Sequence, residues 1–233
     1  MITDIDNIKK VSKWMFDAFH IKEVEELKGL GIVCHPYTNS MAGMSLDNKL
    51  LDLRKSEDVN KFRESIFHII DTSRNLSRLF IMLDKRFYLL WFYESCEYMS
   101  EEDYGKYLST CWIQSENPNQ DVNVSLNDCV GLFWDAMPEY LMDEEELEYF
   151  NNLPDFITVY RGVSPGRERN GLSWTNDKQM AEWFKSRFER DGKTGELLTA
   201  RISKKHVLAY FNGRDEKELV VDVFAIEDEI KTV

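Results

Sequence analysis

Three short stretches in the last third of the chain carry residue types that chemistry can use. They are Val159-Tyr160-Arg161-Gly162, Gly171-Leu172-Ser173-Trp174-Thr175 and Arg214-Asp215-Glu216-Lys217-Glu218-Leu219-Val220-Val221. Arg161 closes an alternating run that begins at Phe156, and its guanidinium is a planar fork suited to phosphate or carboxylate. Gly162 beside it allows a turn or the close approach of a ligand. An internal ion pair accounts for Arg161 equally well. Ser173 and Thr175 stand two apart on an extended segment, so both hydroxyls face one side, to bind a ligand or to bond across a sheet. Glu216 and Glu218 are also two apart, at the start of a run of β-formers, and that spacing predicts a shared face. Two such carboxylates either make a solvated edge or stabilise a developing cation.

An arginine, a Ser-x-Thr and a Glu-x-Glu in that order resemble the R-S-E class of mono-ADP-ribosyltransferases. The resemblance is to the arginine-specific Glu-x-Glu type known from bacterial toxins and effectors and from phage host-takeover enzymes, and it covers the part of the chain after residue 150. It implies that Arg161, with Gly162 beside it, holds NAD, which is the substrate, and that Ser173, Trp174 and Thr175 brace the pocket. Phe184, on the helix that follows, belongs to the aromatic residues the resemblance sets against nicotinamide. Glu218 is implied to stabilise the cation that develops as the nicotinamide–ribose bond breaks. Glu216 is implied to orient or deprotonate the acceptor, an arginine of a protein target. No metal is called for. Trp174 at the centre of the Ser-x-Thr, and Thr175 in place of a second serine, depart from the commonest form. Two other accounts stay open: an NAD glycohydrolase in which water is the acceptor, and a non-enzymatic acidic inhibitor that keeps the scaffold. The intact set of Arg161, Ser173, Glu216 and Glu218 favours the enzyme.

The elements that position these residues are expected to form an α+β protein. A mostly helical, acidic region, 1–150, precedes a catalytic core, 151–233, for which the resemblance implies an ADP-ribosyltransferase-like split β-sheet. Apolar stripes predict helices over Ile5–Phe19, Ile21–Leu30, Ser56–Ile70 (capped by Ser56), Leu76–Glu97, and onward from Ser100 and Ser125. The acidic run Asp143–Glu148 suits a helix N-terminus. Ile32–Tyr37 is read as extended, Thr38–Asp47 as loop and 116–121 as turn. Strands are expected at Phe156–Arg161, Gly171–Thr175, Glu196–Ile202, Val207–Phe211 and Glu218–Ala225. A helix between them, capped by Asn176, is expected to bury Met180, Ala181, Phe184 and Phe188.

Composition narrows the partners. Hydrophobic residues make up 43% of the chain, enough for a folded core. Residues 151–233 balance 14 basic against 14 acidic side chains, whereas 1–150 carry 15 and 28, so the whole net charge of −13 lies before residue 151. Such a surface repels nucleic acid and anionic membranes and suits a basic protein target, although a well-solvated helical surface has the same composition. The four cysteines form no CxxC pair, and no histidine has an i,i+4 partner, which is the pattern of reduced thiols in a cytoplasmic protein without a metal. The start of the chain lacks the apolar stretch of a signal peptide, so the expected location is cytoplasmic, with action in a host cell an extension of the resemblance. No glycine-rich phosphate loop occurs.

Overall fold

The computed structural model describes residues 2–115, 117–213 and 215–233. Met1, Glu116 of the predicted turn and Arg214 of the third stretch lie outside the described residues. The chain divides into two compact units, Met1–Ser100 with Gln114–Glu116, and Glu101–Ile113 with Asn117–Val233. These contacts divide the chain near residue 100, whereas the change of pattern in the sequence falls near 150.

In the first unit, α1 (Ile5–Ala18) begins where Asp4 accepts a hydrogen bond from the Asn7 N–H (3.1 Å), and it buries Ile8, Met15 and Phe16. The predicted Ile21–Leu30 helix is reduced to a 3₁₀ turn at Glu25–Leu27. Gly29 and Gly31 take left-handed φ values of 92° and 70° and donate their N–H groups to Glu23, which ends the helical path. Two antiparallel hairpins follow, β1 (Ile32–His35) with β2 (Thr38–Ser40) and β3 (Ala42–Met44) with β4 (Leu50–Asp52). They replace the predicted loop over Thr38–Asp47, and three-residue strands are too short to show alternation.

Helix α2 (Ser56–Thr72) buries Phe62, Ile66 and Ile70 as its stripe requires, but Lys55 rather than Ser56 occupies the cap position. The predicted Leu76–Glu97 helix is broken into α3 (Leu76–Phe80), a 3₁₀ turn and α4 (Tyr88–Ser95). The break is set by Asp84, which accepts from the Arg86 N–H and starts a new turn. His35 is buried at the centre of this unit, with Nε2 3.1 Å from the Phe16 carbonyl and the Phe16 ring edge-on at 4.7 Å.

In the second unit, which holds α5 (Glu101–Gln114) as far as Ile113, that helix opens on Glu101, Glu102 and Asp103, which complement the helix dipole. Ser125 caps α6 (Leu126–Asp135), and a short α7 (Pro138–Leu141) leads to α8 (Glu144–Asn151). The acidic run is a capping box: Asp143 accepts from the Glu146 N–H, and Glu146 from the Asp143 N–H. These helices belong with the strands because their rings share one core. Trp112 of α5 meets Phe133 of α6 edge-on at 5.1 Å, and Phe133 meets Phe211 at 6.3 Å.

The strands are β5 (Phe156–Val163), β6 (Ser173–Thr175), β7 (Glu196–Ser203), β8 (Val207–Phe211), β9 (Glu218–Val221) and β10 (Lys231–Thr232), the last unforeseen. They form one antiparallel sheet in the order β10-β7-β5-β6-β9-β8. β5 and β7 pair along their whole length, whereas β5 and β6 meet at the single registered pair Tyr160↔Thr175. Two three-stranded halves are thus joined at a narrow waist. β9 stops before the predicted Ala225 because Asp222 accepts from the Ala225 N–H and turns the chain.

Helix α9 (Lys178–Ser186) links β6 to β7 and packs on β5. Its cap is Asp177, one residue beyond the expected Asn176, and it accepts from the Gln179 and Met180 N–H groups. Ala181 is its one fully buried residue. Phe188, expected to face inward, lies beyond the end of α9 and is 46% exposed.

Candidate active site

The waist of the sheet brings the three stretches together. Tyr160, Thr175 and Glu218 stand opposite one another on β5, β6 and β9, so their side chains share one face. Glu218 is buried at the first position of β9, and its Oε1 accepts a hydrogen bond from the Trp112 indole Nε1–H (2.9 Å). The Thr175 hydroxyl accepts from the Asp177 N–H (3.1 Å) and turns the chain into α9. The Ser173 hydroxyl accepts from the Asn119 Nδ2–H (2.7 Å), and Asn119 Oδ1 accepts in turn from the Leu172 and Ser173 N–H groups. Asn119 therefore fixes both the backbone and the hydroxyl of β6.

Arg161 follows Tyr160 and so starts on the opposite face, among the buried residues Val159 and Val163. Its guanidinium fills the opening where β5 and β6 part. Nη1 donates to the Ser173 carbonyl (2.8 Å), Nη2 to Glu168 (3.3 Å) and Nε to Arg169 (3.3 Å). Burial lowers its pKa to about 10, against the opposing attraction of the Glu218 carboxylate. The residue is thus a clamp on the protein's own main chain. A Cβ on Gly171 would overlap this guanidinium, and one on Gly162 would overlap the Ala181 carbonyl of α9. Both glycines are places where a neighbour lies against the backbone.

Trp174 is buried and donates its indole N–H to the Gly171 carbonyl (2.9 Å), which places it in the core of the sheet. Phe184 is half-buried on α9, edge-on to Trp183 at 4.9 Å. Glu216 does not share a strand with Glu218. Asp215 and Lys217 adopt φ values of 56° and 48°, so extended alternation stops at Glu218 and cannot assign the two carboxylates to one face. Lys217 ties this loop to the α9 cap by its ion pair with Asp177 (2.9 Å). Beside the loop opens a cleft of about 510 Å³ lined by Tyr149, Asn176, Asp177, Tyr210 and Lys217.

No family model, curated protein or solved structure matches the chain. Among the described residues no group of three or more His, Cys, Asp or Glu is placed to hold a metal ion, and no helix is long and apolar enough to cross a membrane.

Chemically, the site is a buried carboxylate that accepts the neutral N–H of Trp112, with a buried cation near enough to act on it. A fixed negative charge in a desolvated setting stabilises positive charge that develops beside it. Trp112 and Asn119 were not among the residues singled out from sequence. Trp112 reads as part of a helical core stripe and Asn119 as part of a turn, and nothing in the sequence pairs either with a strand far along the chain.

Proposed function

We propose that the chain is an NAD-dependent mono-ADP-ribosyltransferase whose second unit is an ADP-ribosyltransferase-like core acting on a protein at arginine. The observation that carries this is that Arg161, Ser173, Thr175 and Glu218, from three separate stretches, converge on adjacent strands at the waist of a divided sheet. Glu218 stabilises the oxocarbenium-like transition state as the ribose–nicotinamide bond breaks and nicotinamide leaves with the bonding electron pair. A guanidine nitrogen of the target then forms the new bond to the ribose carbon and gives up its proton to Glu216. Arg161 and Asn119 hold the opening of the pocket in shape, and NAD binds against Ser173 and the α9 side bearing Phe184. The acidic surface of residues 1–150 suits a basic protein target in the cytoplasm of the producing or a host cell.

Glu216 lies off β9, and this favours a second reading in which water takes the acceptor's place and the chain is an NAD glycohydrolase. Incubation with labelled NAD and a cell lysate, followed by mass spectrometry, separates the two. Label on protein arginines is expected for the transferase, and free ADP-ribose alone for the hydrolase. Absence of both products would remove both readings.

A further inference from the structure

We infer that Trp112 is a positioning residue of Glu218: its indole N–H holds the Oε1 of the carboxylate and so helps to fix the orientation in which the group meets the reacting sugar. This rests on the enzymatic reading proposed above. The bond joins residues 106 positions apart, is 2.9 Å long and lies between two buried side chains. Trp112 is itself fixed, because Phe133 packs edge-on against its ring at 5.1 Å and it is buried in the last turn of α5. A rotating carboxylate in a buried site loses the directional charge that makes it useful, and a neutral donor holds it without cancelling that charge. An arginine or lysine in the same place would neutralise Glu218 and weaken its pull on a developing cation.

Several titratable groups also surround Glu218. Arg161 on β5 attracts Glu218 electrostatically, but its guanidinium donates to three backbone carbonyls. Cys111, next to Trp112 on α5, is held as the neutral thiol by complete burial. On the loop before β9, Lys217 is paired with Asp177 across to α9, and Glu216 is partly exposed. Tyr160 shares the row across the waist. The indole is a neutral donor to the carboxylate, and it comes from α5, outside the three stretches.

The test replaces Trp112 by benzothienylalanine, which keeps the ring's shape and lacks the N–H, with Trp112→Phe as a second variant. The same replacement at Trp91, buried in the first unit and bonded to Ser12 (3.1 Å), is the control. Nicotinamide release from NAD is measured against pH, and the Glu218 carboxyl is titrated by infrared difference spectroscopy, with Glu218→Gln to identify its band. The expected result at position 112 is a fall in kcat of about tenfold with KM changed less than twofold, and an acid limb raised by about one pH unit, because an N–H bond favours the ionised carboxyl. The control should match wild type. An active wild type whose kcat, acid limb and Glu218 titration survive loss of the 112 N–H would overturn the inference and leave Trp112 a core residue. A wild type that releases no nicotinamide while its Glu218 titration still shifts would instead remove the enzymatic reading, and the positioning role with it.

Discussion

Replacing Arg161 by lysine keeps the charge and removes the fork, and the structure says where the cost falls. The guanidinium donates along three directions, to Ser173 at 2.8 Å and to Glu168 and Arg169 at 3.3 Å each. An ammonium group at that depth reaches one of these carbonyls well. Glu168 and Arg169 are exposed and can turn to water, so the enduring loss is the ordered connection across the opening between β5 and β6. One charge-assisted bond with its desolvation penalty amounts to about 1.5–3 kcal/mol. Lysine also retains its charge poorly in a buried site. The assay is urea unfolding followed by tryptophan fluorescence, beside NAD affinity by calorimetry. A loss of about 2 kcal/mol together with weaker NAD binding is expected. Stability within 0.5 kcal/mol of wild type, on the scale of a surface substitution, would refute the clamp. An unchanged NAD affinity in a destabilised protein would confine Arg161 to a structural role.

Three further outcomes follow from particular contacts. Gly171→Ala should cost about 1–3 kcal/mol in urea unfolding and lower NAD affinity, because the new methyl displaces the Arg161 guanidinium and crowds Asn119 Oδ1. Burial holds His35 below the usual histidine pKa, so its contribution is fully present above pH 6.5 and is lost as pH falls through the folded value; unfolding measured from pH 8 to pH 5 should show the first unit weakening by up to about 1.4 kcal/mol per pH unit, a slope that His35→Gln removes. Glu216→Gln should abolish labelling of the protein target and spare much of the slow hydrolysis of NAD by water; equal loss of both would mean that Glu216 and Glu218 act as one unit.

Local signals in the sequence carried much of the fold. The stripe of Ile8, Met15 and Phe16 marks α1, Ser125 marks the start of α6, and Asp143 with Glu146 marks α8. Alternation found β5 and β7 to within two residues at either end, and the continuous apolar run Val207–Phe211 found β8. Failures came where a distant or backbone cause decides. The Leu76–Glu97 run is apolar enough for one helix, but Asp84 offers its side chain to a new turn. The pairing of Glu216 with Glu218 rested on extended geometry, which the positive φ of Lys217 removes. Arg161 was legible as a fork, yet its partners are carbonyl oxygens, which every residue has and no sequence marks. Trp112 meets Glu218 across 106 residues and Asn119 meets Ser173 across 54, contacts that only the assembled sheet reveals.

The proposed stabilisation of positive charge on the ribose of NAD by the Glu218 carboxylate is measured directly as nicotinamide release by wild type and Glu218→Gln at saturating NAD. Glutamine keeps an oxygen for the Trp112 N–H, so the folded structure should survive, as circular dichroism and urea unfolding would verify. Loss of a preorganised charge of this kind costs on the order of 10²–10³ in rate, and a fall of that size in kcat is expected. A correctly folded Glu218→Gln protein that releases nicotinamide at near wild-type rate would contradict it.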